Sequence, residues 1–253
     1  MRKKTIVFII CFVFISYILL FSATADSILK KTEDKMIGKK APKDIEAVMI
    51  MEIHKGSSVK IRELKAWTKN NLNSDDWKLM KFISPADVKN VGFLTISEDD
   101  MFLYLPEFHR IRRIASSSKK DSFMGSDFSY DDLSTTGFSK NYIPEIIKET
   151  DTLWILKLSK KKGVKKPYSK IILHISKKTN LPLIMEMFDN SGNLWKKAEE
   201  KTKNIGEYDV VSFIKMKNMK KGSWTTLELK DIKLNKGLSK KIFSKRFLKK
   251  RVK

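Results

Sequence analysis

The sequence is short of the residues that staple small domains and of those that run catalysis. It has one cysteine, Cys11, in 253 residues. That excludes a disulfide framework or a thiolate metal site in the body of the chain. Its three histidines, His54, His109 and His174, fall in separate strand-like segments without metal-ligand spacing. There is no G-x-S-x-G, no H-E-x-x-H and no glycine-rich phosphate loop. Asp127, Asp131 and Asp132 cluster without the D-x-D-x-D-G spacing of a calcium loop, so they read as helix N-terminal caps. With no nucleophile and base to pair, no catalytic residue, metal or cofactor is expected. Acidic residues are scarce too, 29 against 52 Lys and Arg, for a formal net charge of +23. Such an excess suits anionic partners, but scattered lysines also make an ordinary solvated surface. No zinc-finger, helix-turn-helix or RNP-type pattern supports nucleic acid as a partner.

What is present begins with a leader. "MRKK" is a positive n-region, Thr5 to Phe21 is an uncharged apolar run, and Ala23-Thr24-Ala25 is a small-x-small cleavage site. This predicts a signal peptide over 1–25, cut between Ala25 and Asp26, and hence export. The rival is an uncleaved anchor, for which 17 uncharged residues are at the short limit of spanning. Ile10 before Cys11 argues against lipoprotein acylation. Residues 26–253 are then expected to form a single domain, held together by its apolar core.

Along that domain, Asp26-Ser27 and "ILKKTEDKMI" predict a short helix with Ile28, Leu29, Thr32 and Met36 as its apolar stripe. Period-two patterns follow at 45–54, 58–69, 76–83, 92–97, 101–106 and 108–115, then at 152–160, 168–176, 181–189, 194–202, 208–218 and 224–234. In 58–69 the alternation sets Val59, Ile61 and Trp67 against Lys60, Arg62 and Thr68. Ser84-Pro85-Ala86-Asp87 predicts a helical turn to Val91, and a further helical piece is expected around 126–148. The spacing of strand starts implies antiparallel neighbours. The fold class is therefore mainly β with helices (α+β), about eleven strands in one strongly curved antiparallel sheet. Its concave apolar face must be filled by helices of the chain or by a lipid.

One block has neither period. "FLYLPEFHRIRRIASSSKKDSFMGSDFSYDDL", residues 102–133, resembles the signature of outer-membrane lipoprotein-sorting proteins of LolA/LolB-like fold, in the branch found beside RND-type lipid exporters. The likeness rests on Leu103-Tyr104-Leu105-Pro106, on Arg110-Ile111-Arg112-Arg113-Ile114 and on Ser122 to Leu133, with Phe102 where tryptophan is usual. "MKFISPADVKNVGFL" (80–94) and "IKMKNMKKGSWTTLELKDIKLNKGLSKKIFS" (214–244) are similar to further family segments.

The resemblance implies an open β-barrel with a helical lid and a non-enzymatic periplasmic carrier in a Gram-negative-type envelope. Its partners would be lipoprotein acyl chains or lipids, an inner-membrane RND-type exporter and, transiently, the membrane surface, with the chain a monomer. Each exposed methylene of such cargo costs about 0.8 kcal/mol in water. Adaptable methionines and aromatics would line the cavity, the candidates being Met49, Met51, Trp67, Met80, Trp154, Met185, Met187, Phe213 and Met216. Ser122, Phe123, Met124, Gly125, Ser126, Asp127, Phe128 and Tyr130 would form the lid, with Gly125 as hinge and Asp127 capping the next helix. Arg110, Arg112 and Arg113 would meet head groups at the mouth. The basic tail 240–253 would touch anionic lipid or a transporter, or fray in solvent. The alternative is an adaptor that works with an RND-type exporter without carrying cargo itself.

Overall fold

A computed structural model describes residues 23–72, 75–134 and 137–252. The apolar run of the leader lies outside the described residues. Helix α1 (Ala25–Met36) starts at Thr24, whose side chain accepts a hydrogen bond from the Ser27 N–H at 3.2 Å. Asp26 in its first turn and Lys35 in its last both suit the helix dipole. It buries Ile28, Leu29 and Thr32 of the stripe read from the sequence, while Met36 is half-buried.

The strands are β1 (Asp44–Lys55), β2 (Ser58–Lys69), β3 (Trp77–Ser84), β4 (Gly92–Thr95), β5 (Met101–Leu105), β6 (Arg110–Arg113), β7 (Tyr142–Glu149), β8 (Leu153–Lys160), β9 (Lys170–Ser176), β10 (Pro182–Phe188), β11 (Leu194–Ile205), β12 (Tyr208–Asn218) and β13 (Ser223–Leu234). They make one sheet of 13 strands in the order β6-β5-β4-β3-β2-β1-β13-β12-β11-β10-β9-β8-β7. Every neighbouring pair is antiparallel. The sheet is open and curved, and its 13 strands exceed the expected eleven or so, β7 being the one that no period-two segment covers.

Its two edges, β6 and β7, are consecutive in the chain. The segment 114–141 therefore has to travel from one edge of the sheet to the other, and it does so across the concave side as a strap. The strap carries the one-turn helix α2 (Tyr130–Ser134).

Two expected helices are corrected. Residues 85–91 form turns, with i to i+3 bonds such as Val88 N–H to Pro85 O, and Asn90 in the left-handed region at φ 66°. Hydrogen bonds between Phe82 and both Asn90 and Val91 close this loop as the end of a hairpin, which leaves no room for a helix. Around 126–148 only α2 is α-helical among the described residues, and Tyr142–Glu149 is the edge strand β7. Pro144 disguises that strand, yet an edge strand tolerates a missing N–H.

Alternation divides the apolar residues between two faces. The concave face holds the main core, with Met51, Leu64, Phe82, Phe93, Leu156, Leu173, Ala198 and Leu227 under α1 and the strap. The convex face of β2–β5 holds a second cluster of Trp67, Leu79, Leu94 and Tyr104. The C-terminal tail covers it with Leu238, Phe243 and Leu248, the last two flanking and ending the short helix α3 (Lys245–Leu248). Gly92 makes the close approach possible, since a Cβ there would meet Leu248 Cδ1 at 2.6 Å. The tail is thus docked along the sheet. Its anchor is Lys81, 0% exposed, whose Nζ donates to the backbone carbonyls of Leu248 (2.8 Å) and Lys250.

Candidate functional site

Between α1, the strap and the sheet, from β3 round to β9 in sheet order, the concave face is under-filled. The hollow there has a volume of about 350 Å³, within the roughly 300–1,000 Å³ of ligand pockets. Met36 of α1, Met49 of β1, Met80 of β3, Met185 and Met187 of β10 and Met216 of β12 line it, with Phe128, Leu133 and Phe138 from the strap side. Methionine has the conformational freedom to follow an irregular apolar guest.

The strap is firmly built. Ser122 pairs with Ser129 across a tight loop, and the Phe123 N–H donates to Phe128 O at 2.8 Å. The tip needs positive φ at Met124 (50°) and Gly125 (80°), the second of which only glycine takes freely. Phe123 is 0% exposed and packs on Phe82, Phe93 and Tyr130 at ring distances of 5.8, 5.3 and 5.7 Å. Asp127 is buried and accepts from Ser223 Oγ (2.6 Å) and Thr225 Oγ1 (2.9 Å), which pins the strap to β13. The α2 cap belongs instead to Ser129, whose Oγ accepts from the Asp132 N–H at 3.1 Å while Asp132 Oδ2 accepts from the Ser129 N–H at 2.7 Å. That corrects the capping role expected of Asp127.

At one side of the hollow, α2 brings Asp131 and Asp132 against buried cations. Lys166 pairs with Asp131 (2.9 Å) and Glu98 (3.2 Å), and Lys196 with Asp132 (2.7 Å). The Tyr168 hydroxyl donates to Asp132 at 2.6 Å. Burial pushes the Asp131 carboxyl above its ordinary range, against the pull of Lys166. Among the described residues no group of His, Cys, Asp and Glu has the arrangement to hold a metal ion.

The sequence-derived candidates separate into three places. Met49, Trp67, Met80, Met185, Met187 and Met216 border the hollow, although the Trp67 indole packs on the convex side against Phe247 at 6.0 Å. Met51 is sealed in the core, and Trp154 and Phe213 lie beneath the ammonium groups of Lys177 (4.2 Å) and Lys201 (5.2 Å). Of the eight lid candidates Phe128 reaches the hollow. Arg110, Arg112 and Arg113 stand exposed on edge strand β6 outside the lining, with Arg113 paired to Asp100 at 2.7 Å.

The facing of β2 differs from the alternation read in the sequence. Val59 and Ile61 are exposed, while Arg62 is buried, donates to Met124 O and lies over the Phe82 ring at 5.7 Å. The loop carbonyl and the ring supply an inward partner that a two-class pattern does not register. Sequence reasoning also missed Glu200, Lys78, Tyr168 and Phe138 in the lining. Glu200 has a signal in hindsight, since it shares the parity of Ala198.

An open antiparallel half-barrel, crossed by a strap over an apolar hollow, defines the class of LolA-like folds. A protein of the DUF1329 family from Desulfovibrio piger has a TM-score of 0.81 at 26% identity, over 90% of this chain and 100% of that one. A domain from Vibrio parahaemolyticus, described as that of an outer membrane lipoprotein-sorting protein, has a TM-score of 0.81 at 27% identity, over 90% and 98%. A LolA superfamily protein from Nitrosomonas europaea shares the fold with a TM-score of 0.71 at 20% identity, over 89% and 100%. No curated protein matches the chain. Residues 74–250 match a family model whose description is "Uncharacterized protein". The chain belongs to that family, and its structural neighbours are the lipoprotein-sorting and LolA-like proteins that its signature block resembles.

Proposed function

We propose that the protein is a periplasmic carrier that takes acyl chains of lipoproteins or lipids into the concave hollow and shuttles them toward the outer membrane. The observation that carries this reading is the methionine-rich hollow on a sheet that is otherwise well packed. Apolar space costs stability when empty, and burying a guest's methylenes offsets that cost. The likeness to a lipoprotein-sorting domain points the same way. The protein acts by binding and not by catalysis. The leader over 1–25 would export the chain, and cleavage after Ala25 would remove the Thr24 cap and leave Ser27 to take its place. An RND-type exporter would be the donor, and the exposed Lys249, Lys250 and Arg251 of the docked tail are the charges it or an anionic membrane would meet.

The test is mass spectrometry of protein taken from its native envelope, together with uptake of a fluorescent fatty acid by delipidated protein. Co-purifying lipid and saturable uptake are expected. Protein that carries no lipid and takes up none would end the reading. Lost exporter binding with intact uptake in a charge reversal at Lys249, Lys250 and Arg251 would assign the tail to docking.

A further inference from the structure

Among the described residues, one polar atom of the hollow's lining, on Glu200, has no partner. Glu200 stands on β11 with Lys196 and Ala198 on the concave face. Lys196 is used by Asp132. Glu200 is half-buried and lines the hollow, and its Oε2 has neither exposed surface nor a hydrogen-bond partner. Its cross-strand neighbour is Ile214, and Met185, Met187 and Leu227 share the lining with it. An unpaired buried carboxyl is a liability to the fold. Burial alone pushes its pKa up to about 8, so it keeps its proton at neutral pH. A protonated carboxyl can donate one hydrogen bond into the hollow.

Building on the carrier reading, we infer that Glu200 is the polar anchor of the hollow and hydrogen-bonds the acyl carbonyl of an ester- or amide-linked cargo chain. A carbonyl is neutral and purely an acceptor, so it enters with its chain and complements a single donor. A cationic group would need an ionised carboxylate among methionine and isoleucine side chains, where charge is strongly disfavoured.

The other titratable groups that face the hollow come from separate elements. Lys166, Asp131 and Asp132 are held in the ion pairs at α2, and Tyr142 and Tyr168 are shifted up by burial. Lys78 of β3 has its pKa lowered by burial, and its Nζ lies 3.4 Å from Leu133 O. The strands that flank Glu200 present Met185, Met187, Ile214 and Met216 to the hollow. On the outer face, Glu199 pairs with Lys217 (2.8 Å), and His174, Glu186 and Lys197 lie together. Lys35 of α1 pairs with Asp209 at 3.8 Å.

The experiment displaces N-phenyl-1-naphthylamine from delipidated protein with methyl palmitate, N-methylpalmitamide or heptadecane, delivered from cyclodextrin at pH 6.5 and 9.5. At pH 6.5 the carbonyl compounds should bind about tenfold more tightly than the alkane, the worth of one hydrogen bond to an otherwise unpaired buried group. That preference should collapse at pH 9.5, where Glu200 ionises. Preference for one carbonyl compound assigns the cargo linkage. Glu200→Leu should bind all three alike, and Glu200→Gln, whose amide still donates, should keep the preference at both pH values. Equal binding of ester, amide and alkane by the unmodified protein overturns this inference and leaves the carrier reading standing. Displacement by none of them overturns both. A pH effect that survives in Glu200→Gln would assign it to another group facing the hollow and overturn the role given to Glu200.

Discussion

Strands β3 to β5 and strands β10 to β12 belong to one sheet but live in different surroundings. The first group is covered twice, by Phe123 and Tyr130 of the strap on its concave side and by Phe243 and Leu248 of the tail on its convex side, with the Lys78 and Met80 end of β3 reaching the hollow. All four residues of β4 are buried, and even Lys81 of β3 is sealed, with two carbonyls as its partners. The second group has water on one face and the hollow on the other, and its half-buried acid, Glu200, has no such partners. One half of the sheet is a rigid wall that the chain finishes for itself. The other half is a cradle left for a guest to finish.

The sharpest way to break this comparison is to damage the wall from inside. Phe123→Ala removes the ring at the centre of the Phe82, Phe93 and Tyr130 cluster and should cost about 3–5 kcal/mol in urea unfolding. A loss under ~1 kcal/mol would mean that the strap is a loose flap. From outside, Leu248→Ala should cost about 2–3 kcal/mol, at the low end for a buried leucine because a terminal segment can relax. It should also raise amide exchange in the tail. If exchange there is already fast in the unmodified protein, the convex cover is not a fixed part of the wall.

Smaller effects sharpen the boundary between strap and cradle. Asp127→Ala strands the Ser223 hydroxyl and leaves the Thr225 hydroxyl only its bond from the backbone N–H of residue 127, and should cost about 1–3 kcal/mol by urea unfolding. The same variant should speed lipid uptake, because it removes two of the three hydrogen bonds that tie residue 127 of the strap to β13. Unchanged uptake would make the strap a brace with no gating role.

How much of this could be read beforehand followed the physics of each segment. The hairpin of β1 and β2 and the run β8 to β13 show alternation wherever one face is wet, and their boundaries followed within a few residues. The signature block pointed to the fold through its own residues, where periodicity was silent. The doubly covered strands are apolar on both faces, so "GFLT" and "MFLYL" did not disclose which residues face the strap and which face the tail. β7 was hidden by Pro144. The tail was hidden by its lysines, which surround the apolar contacts of Ile242, Phe243, Phe247 and Leu248 with charge. Glu200 was hidden because a glutamate in the charged run "KKAEEK" reads as surface, and its burial depends on tertiary neighbours that come from β10 and β12.

The smallest expected effect is the most informative about the cradle. A fully packed methionine costs about 2–5 kcal/mol when cut to alanine, because its neighbours lose contacts they cannot replace. Met51, 0% exposed on β1, should behave in that way. Met185 faces the hollow on β10, so part of its surface has no neighbour to lose. Met185→Ala should therefore cost under ~1 kcal/mol in the delipidated protein. With a bound fatty acid the cost should rise, since the guest then supplies the missing contacts, and the lipid's own affinity should fall by the matching factor. Urea unfolding of both variants, with and without lipid, reads all four values. An equal cost for Met51 and Met185 without lipid would mean that the hollow is filled in solution, and the difference between wall and cradle would disappear.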